Sequence, residues 1–181
     1  DMQLQDIQAL SRVVNREIPL VMEVNRAIDI LQALRLKNDY DLELVLMSVE
    51  EAPLVLDQIL ASGVSVIIDP MDNIPDSFDE LASNIKLCGI LSNAGIKVMF
   101  STQRSHNYHL MRQGAGNAVA HGMTYQAGIS GMTSIVADVF NIQDRGSIKE
   151  GYFADIVIWS EDTLEPSAYP TTVIINGSEM S

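Results

Sequence analysis

The sequence predicts an α/β fold in which the strands of a parallel sheet alternate with helices. Four short apolar runs begin near residues 19, 42, 64 and 96, and segments with helical periodicity separate them. The runs are almost continuously apolar, which is typical of parallel strands that are covered on both faces. Gly63 and Gly95 each follow a helical segment, at the place where glycine commonly ends a helix.

The elements follow one another in a regular order. An amphipathic helix is expected over residues 4–16, because its apolar residues recur on one face. Strands are then expected over residues 19–24, 42–47, 64–68 and 96–100, with helices over residues 27–37, 50–61 and 79–92 between them. Two more helices, over about 108–120 and 124–140, complete this part of the chain. Ser48 and Glu51 have the spacing of a capping box for the helix over residues 50–61.

Two architectures fit four strand–helix units. One is an open doubly wound sheet, and the other is half of a (β/α)₈ barrel of the TIM type, which takes about 250 residues when complete. The alternation of elements alone does not separate them.

The C-terminal segment has a different pattern. Residues 144–159 contain two glycine turns, at Gly146 and Gly151, before the branched and aromatic strand 156–159. A polar loop over residues 160–170 leads to another strand over residues 171–177. This segment resembles the C-terminal signature of the amidohydrolase superfamily, "G-S-I-x-x-G-x-x-A-D-I-V". The resemblance implies that residues 1–143 form the C-terminal half of a barrel and that residues 144–181 form the terminal β-segment of a small β-domain.

Other stretches are similar to the imidazolonepropionase-like amidohydrolases. Residues 19–30, 44–52 and 67–70 resemble the fifth, sixth and seventh barrel strands, and residues 94–107 resemble the eighth strand and its loop. The resemblance implies hydrolysis of C–N bonds by one or two metal ions, which polarise the carbonyl group and activate a water molecule. It also implies metal ligands on the first strand, a His on the fifth, a His on the sixth and an Asp after the eighth.

The chain departs from this pattern at the ligand positions. The matching residues are Glu23 on the fifth strand, about Ser48 on the sixth and Gln103 after the eighth. Ser48 and Gln103 are poor ligands for zinc, which favours nitrogen and sulfur donors. We therefore expect no complete zinc site, and no cofactor, within this chain.

Glu23 and Arg26 are candidate site residues at the end of the first strand. A carboxylate inside an apolar strand must be paired or must lie at the open end of the strand. Glu23 is therefore either a catalytic residue or half of a buried ion pair with Arg26 or Arg104. Arg26 is expected to bind a substrate carboxylate through its planar guanidinium group, or else to form a salt bridge with Asp29 or Asp69.

The remaining candidates follow the third and fourth strands. Asp69 ends a strand, where polar residues of a barrel form sites, although it could also cap the following turn. The resemblance adds Gln103 as a catalytic candidate, and His106 and Asn107 as substrate-binding residues at the mouth of the site. Cys88 lies on an apolar helical face and is expected to be an inert core thiol.

Composition limits the partners. The net charge of −13 and the pI of about 4.4 argue against nucleic acids and anionic membranes, because phosphate binding needs clustered Lys and Arg. No apolar run approaches the roughly 20 residues that a membrane span needs. The single cysteine excludes an internal disulfide.

These patterns lead to one expected function and two alternatives. We expect a fragment of an amidohydrolase-like protein that hydrolyses an amide or cyclic amide of a small-molecule substrate when full-length, and that is inactive as an isolated chain. The first alternative is a catalytically degenerate homologue that binds a small molecule or a protein. The second is an independent doubly wound binding domain. An open half barrel also leaves strand edges unpaired, so we expect a homo-oligomer, with the strand over residues 171–177 shared between copies.

Overall fold

Four parallel strands, hydrogen-bonded in chain order, form the central sheet of the computed structural model. They are β1 (Leu20–Val24), β2 (Leu44–Ser48), β3 (Ser65–Ile68) and β4 (Val98–Phe100). The structure describes residues 4–72, 74–75, 77–102, 108 and 110–180. The α/β class with a parallel sheet is thus confirmed.

Helices connect the strands and continue beyond the last one. They are α1 (Leu4–Val14), α2 (Ala27–Tyr40), α3 (Leu56–Ser62), α4 (Leu87–Asn93), α5 (Met111–Ala120), α6 (Tyr125–Met132) and α7 (Ser134–Val139). Short 3₁₀ turns cover Ala52–Val55 and Phe78–Glu80. No helix within the described ranges is long and apolar enough to cross a membrane.

The core lies between the sheet and the helices. Alternate strand residues point to opposite faces of a sheet, so one residue in two along each strand meets the helix layer. The largest side chains in this layer with almost no exposure are Ile30, Leu46, Ile59, Leu91, Val66 and Val98. Burial of such side chains contributes about 1.5–3 kcal/mol each.

Several predicted helices are shorter than expected, among them those over residues 50–61, 79–92 and 124–140. The helix predicted over residues 79–92 begins only at Leu87, because local side-chain bonds hold the chain in turns before it. Ser83 donates to the carbonyl of Glu80, and the side chain of Asn84 accepts from the amide of Lys86. Such bonds compete with helical ones. The helix predicted over residues 124–140 is broken at Thr133, whose backbone is not helical.

The C-terminal segment forms a second, antiparallel sheet. Its strands are β5 (Ile156–Trp159), β6 (Pro170–Ile175) and β7 (Ser178–Glu179), with β6 in the centre. Asn176 and Gly177 both have positive φ in the two-residue turn between β6 and β7, the geometry that an Asn-Gly pair favours. The predicted strand over residues 171–177 is therefore a strand that ends in a hairpin.

Gly146 and Gly151 both adopt the left-handed backbone that the sequence predicted. Their φ angles are +79° and +84°. A Cβ atom at Gly146 would also lie 2.8 Å from the Cβ of Ala137 and 2.9 Å from the carbonyl oxygen of Thr133. Gly146 thus provides a close contact with α7, whereas Gly151 provides only a turn.

Arg112 on α5 binds the loop between β5 and β6 through hydrogen bonds. Its guanidinium group donates to the carbonyl oxygens of Thr163 at 2.7 Å, Glu165 at 2.5 Å and Ala168 at 3.0 Å. It also lies over the ring of Trp159, with 4.6 Å between the guanidinium carbon and the ring centroid. One side chain therefore satisfies three carbonyls of a segment that has no regular structure.

The two edges of the parallel sheet differ. On β4, Gly131 of α6 lies so close that a Cβ atom there would be 2.7 Å from the carbonyl oxygen of Val98. The carbonyl of Lys97 bonds to β3, so the carbonyl of Val98 points away from β3, towards α6. Strand β1 pairs with β2 alone among the described strands. Both end strands therefore have a single strand partner among the described residues, as expected, and α6 lies close to the outer side of β4.

Gly131→Ala should destabilise the chain, whereas Gly114→Ala should not. The added methyl group at position 131 would meet the carbonyl oxygen of Val98 at 2.7 Å and the ring of Phe100 at 2.9 Å. Relieving such contacts costs about 1–3 kcal/mol. At position 114 the methyl group meets Pro70 at an ordinary 3.4 Å, and alanine favours the helix. Urea unfolding of the two variants measures the difference, and equal stabilities would mean that α6 is not seated on β4.

Self-association stays a prediction, but the proposed contact surface is now the edge of β1 instead of the strand over residues 171–177. Strand β6 lies between β5 and β7, so it is not the strand that copies would share. The side chain of Val21 on β1 is 41% exposed, next to the free edge. Sedimentation velocity at micromolar concentration should show a dimer that Val21→Lys weakens, because lysine on an edge strand opposes pairing. Val14→Lys, on exposed α1, is the control, and a strictly monomeric parent chain would refute the prediction.

Candidate functional site

The parallel register brings the carboxyl ends of the strands to one edge of the sheet. Val24 pairs with Ser48, and Ile68 pairs with Phe100. The residues that immediately follow these ends therefore lie side by side. In a barrel of parallel strands, this is the edge at which sites form.

A left-handed turn follows β2. Ser48 and Val49 have φ angles of +75° and +61°, and this conformation is costly for a β-branched residue such as valine. Val49 is nevertheless held in place, because its side chain is fully buried in the core and its amide donates to the carbonyl of Val24 at 3.0 Å. Backbone strain of this kind concentrates at functional sites.

Glu51 stabilises a different helix from the one that the sequence predicted. Its carboxylate accepts a hydrogen bond of 2.7 Å from the amide of Ala27, the first residue of α2. Its own amide donates to the carbonyl of Asn25 at 2.9 Å. The predicted capping box of Ser48 and Glu51 is therefore wrong. The left-handed turn redirects the chain towards α2 before its own helix begins.

Glu50 is the buried carboxyl group at this edge. Only 6% of the residue is exposed, and its Oε2 atom has no hydrogen-bond partner among the described residues. Burial, together with the nearby carboxylates of Asp72, Glu80 and Glu23, raises the pKa of Glu50 to about 7, against the effect of a bond from its own amide. Near neutral pH this carboxyl is therefore both a proton donor and a proton acceptor.

Glu50 lines a small cavity of about 10 Å³. The other lining residues come from the end of β3, the loop after it and the start of α4: Ile68, Asp69, Pro70, Asp72, Asn84, Ile85, Leu87 and Cys88. The volume corresponds to a single water-sized group. Burial also raises the pKa of the Cys88 thiol to about 12, so this thiol stays neutral, as expected of an inert core cysteine.

Glu23 lies on the open side of β1, the face that points away from the helix layer, because Leu20, Met22 and Val24 pack against that layer. The side chain is exposed, and the structure gives it no salt bridge within the described part of the chain. The expected buried ion pair with Arg26 is therefore wrong, and Arg104 lies outside the described residues. Glu23 does contribute to the electrostatic field at Glu50, which places it on the side of the sheet edge where Glu50 lies.

Arg26 pairs with Asp79, rather than with Asp29 or Asp69 as predicted. The distance between Nη1 and Oδ1 is 3.8 Å, and both side chains are more than half exposed. An exposed pair of this kind contributes little stability. A guanidinium group held so loosely remains accessible to a ligand at the start of α2.

Asp69 has a turn-forming role. Its Oδ1 atom accepts a hydrogen bond of 2.9 Å from the amide of Met71, and this bond closes an Asx turn. Asn117 of α5 donates to the carbonyl of the next residue, Pro70, at 2.9 Å. Asp69 thus lines the cavity at Glu50 from a fixed loop. The predicted site residues Gln103, His106 and Asn107 lie outside the described residues.

The described residues at this edge do not fit a zinc site. Within the ranges that the structure describes, no three His, Cys, Asp or Glu side chains are grouped so that they could hold a metal ion. Ser48 offers a hydroxyl group, and Glu23 lies exposed on the open side. Zinc prefers nitrogen and sulfur donors in a closed set.

Glu50 is the residue that sequence reasoning missed. Residues 48–51 fit a capping box, and that interpretation left no role for the acidic residue inside it. One signal was available, because Glu50 lies two residues after a strand, at the edge where sites form. The left-handed turn that buries its side chain has no glycine to mark it.

A much larger groove lies away from the strand ends. It has a volume of about 820 Å³ and runs between α5, α6 and β5, with Met111, Ile129, Met132, Phe153 and Trp159 among its lining residues. Its charged residues are already engaged, since Arg145 pairs with Asp155 and Arg112 binds the loop after β5.

The chain resembles known proteins over most of its length. Residues 43–180 match the family model described as the amidohydrolase family. A segment of 65 residues is 37% identical to the amidohydrolase tasK of Hapsidospora irregularis, and it covers 35% of this chain and 7% of that protein.

Solved structures show the same fold. An amidohydrolase from Thermotoga maritima MSB8 superposes with a TM-score of 0.89 at 21% identity, covering 100% of this chain and 48% of that one. A prolidase complexed with N-methylphosphonate-L-proline has a TM-score of 0.72 at 16% identity, covering 97% of this chain and 48% of its own. A triazine hydrolase variant has a TM-score of 0.60 at 16% identity, covering 98% and 47%. The chain thus spans about half the length of these structures, as expected for part of a TIM-type barrel.

In the parent chain, the free energy of unfolding should decrease as the pH rises, and Glu50→Gln should abolish this decrease. The carboxyl titrates near 4.5 in its ordinary state and at about 7 in the fold, so the folded chain binds more protons than the unfolded chain between these values. Stability therefore falls as the pH rises from 4.5 through 7, by about 3 kcal/mol in all. Urea unfolding below and above this window measures the fall, with Glu43→Gln as the control. A variant whose pH dependence equals that of the parent would contradict the assignment.

Proposed function

The chain belongs to the amidohydrolase family, and on this premise we propose that the full-length protein hydrolyses an amide or cyclic amide C–N bond. The observation that carries the proposal is Glu50, a buried carboxyl with a pKa of about 7 at the carboxyl ends of the strands. A general acid–base group works best when its pKa lies near the working pH. The whole site would also include residues from the half of the relatives' length that this chain does not span.

Glu50 would act on the leaving nitrogen. When water attacks the amide carbon and the C–N bond breaks, the nitrogen must gain a proton. The protonated carboxyl of Glu50 would supply it, and the carboxylate would then take up the proton that the attacking water releases. The other proposed catalytic residues are Glu23, Asp69 and Gln103. Glu23 is exposed on the open side of the sheet.

Substrate orientation is assigned to the charged and polar groups at the mouth of the site. Arg26 could form paired hydrogen bonds with a substrate carboxylate, at the expense of its weak pair with Asp79. His106 and Asn107 are proposed to complete the binding surface. This assignment makes the substrate a small molecule that carries both an amide and an anionic group.

One observation favours a second function, that of a family member that binds a small molecule or protein without hydrolysing it. Glu23 and Ser48 occupy positions at which the resemblance implies histidine. A family member that has lost these histidines could keep its pocket and lose its chemistry. Binding without turnover distinguishes this function from hydrolysis.

Amidase assays on the full-length protein test the proposal. With a panel of primary, secondary and cyclic amides, we expect turnover that falls by about 10²–10⁴-fold in Glu50→Gln, the usual effect of losing a general acid–base group. Glu43→Gln, which alters an exposed residue paired with Arg16, should leave the rate unchanged. The isolated chain should be inactive. Tight binding of an amide without turnover would instead support the binding function, and neither binding nor turnover would refute both.

A further inference from the structure

We propose that Asn117 of α5 is a positioning residue for the reaction, because it holds the loop after β3 and thereby fixes Asp69 at the carboxyl edge of the sheet. The catalytic use of Asp69 rests on the proposed function, whereas the positioning itself rests on the contacts of the described residues. Three features support it: the length of the loop after β3, the two contacts from α5 to Pro70, and the attachment of α5 to the rest of the fold.

The loop after β3 lacks the support that a closely following helix provides. Strand β3 ends at Ile68, and α4 begins only at Leu87. Connections from a strand to its helix in α/β folds usually take about 2–6 residues. Within this longer connection the described residues form turns, one of them the short 3₁₀ turn over Phe78–Glu80. The direction that the chain takes at Asp69 therefore depends on contacts with other elements.

Pro70 is the point at which α5 holds this loop. The side-chain amide of Asn117 donates to the carbonyl oxygen of Pro70 at 2.9 Å. Pro70 is buried, and a buried carbonyl needs a donor. Gly114 lies three residues earlier, on the same face of α5, and a Cβ atom there would be 3.4 Å from two ring carbons of Pro70. Helix α5 thus contacts both the ring and the carbonyl of one residue.

The position of the Asp69 carboxylate depends on Pro70. The two residues are adjacent, and the Oδ1 atom of Asp69 accepts a hydrogen bond of 2.9 Å from the amide of Met71. The backbone carbonyl of Asp69 also accepts from the amide of Asp72, at 3.2 Å. These bonds close a compact turn around Pro70, so a shift of Pro70 would move the carboxylate with it. Asp69 and Glu50 line one cavity, and this turn therefore sets how the two residues are arranged.

Helix α5 is itself attached to the rest of the fold at several points. Arg112 binds three carbonyls of the loop after β5. A Cβ atom at Gly116 would lie 2.8 Å from the carbonyl oxygen of Leu164, so the helix backbone is in close contact with the same loop. Near the end of the helix, the Nδ1 atom of His121 lies 2.8 Å from the backbone carbonyl oxygen of Asn117. A donor on a helix attached in this way holds its acceptor in a defined position.

A small displacement of Asp69 would lower the rate of the reaction. Catalytic groups must be held close to the productive geometry, and a misplacement of about 1 Å can cost roughly 100-fold. A purely structural role for Asn117 would reduce the stability of the fold and leave the turn at Pro70 and the rate unchanged. The positioning role predicts instead that the turn loosens and that the loss of rate depends on the presence of Asp69.

The test compares Asn117→Ala with a matched control. In the full-length protein, NMR measures the exchange of the Met71 amide with solvent, and kcat and KM are measured with the panel of primary, secondary and cyclic amides. Asn117→Ala should speed this exchange by roughly 2- to 10-fold, the effect of losing one net hydrogen bond. It should also lower kcat by about 10- to 100-fold with little change in KM. Asn93→Ala removes a similar bond, from Asn93 to the carbonyl of Gly122, and should change neither.

The outcomes separate the inference from the proposed function. In a protein that already carries Asp69→Asn, Asn117→Ala should lower kcat no further, because both changes act through one group. Unchanged exchange at Met71, or a full additional loss of kcat in the double variant, would overturn the positioning role. Asn117→Leu fills the space without a donor and provides a second variant if Asn117→Ala does not fold. Faster exchange in a protein that hydrolyses no amide would keep the positioning of Asp69 and lose the proposed reaction.

Discussion

Parallel pairing of the four strands is the constraint on which the rest of the structure depends. Because the strands run the same way and stay in register, everything that follows a strand arrives at one edge. Parallel pairing thus brings together Asn25, the turn at Ser48 and Asp69. The helices then cover one face of the sheet, and this cover removes water from the loops at the edge. The raised pKa of Glu50 follows from that removal of water.

The turn after β2 shows how a strained backbone is maintained. Ser48 and Val49 adopt a conformation that costs about 1–2 kcal/mol for each residue. The burial of Val49 and its bond to β1 offset this cost, so the turn is fixed by the core rather than by its own sequence. Glu51 then anchors the loop to α2. Glu50 lies between these two fixed points, and its side chain is buried.

The sequence predicted the order and type of the main elements because apolar periodicity is strong in β1 to β4 and in the helices. It also predicted the glycine turns at Gly146 and Gly151, since each requires a conformation that other residues resist. It failed where local bonds compete, as around Asn84, and where the turn used Ser48 and Val49 instead of glycine. The site was predicted least well. Glu50 was missed because its burial depends on contacts with residues that are distant in the chain. The exposure of Glu23 depends in the same way on which strands lie beside β1.

The loop after β5 carries a consequence for the order of folding. Its three bonded carbonyls depend on the guanidinium group of Arg112, which lies about 50 residues earlier in the chain. During synthesis, α5 therefore emerges well before its partner loop. The guanidinium group of Arg112 stays solvated until Trp159 and the following residues have been synthesised. Contacts of such long sequence separation form late because chain entropy must be lost first. The terminal sheet is thus expected to close the structure last, and a chain stopped before residue 163 would lack this fastening altogether.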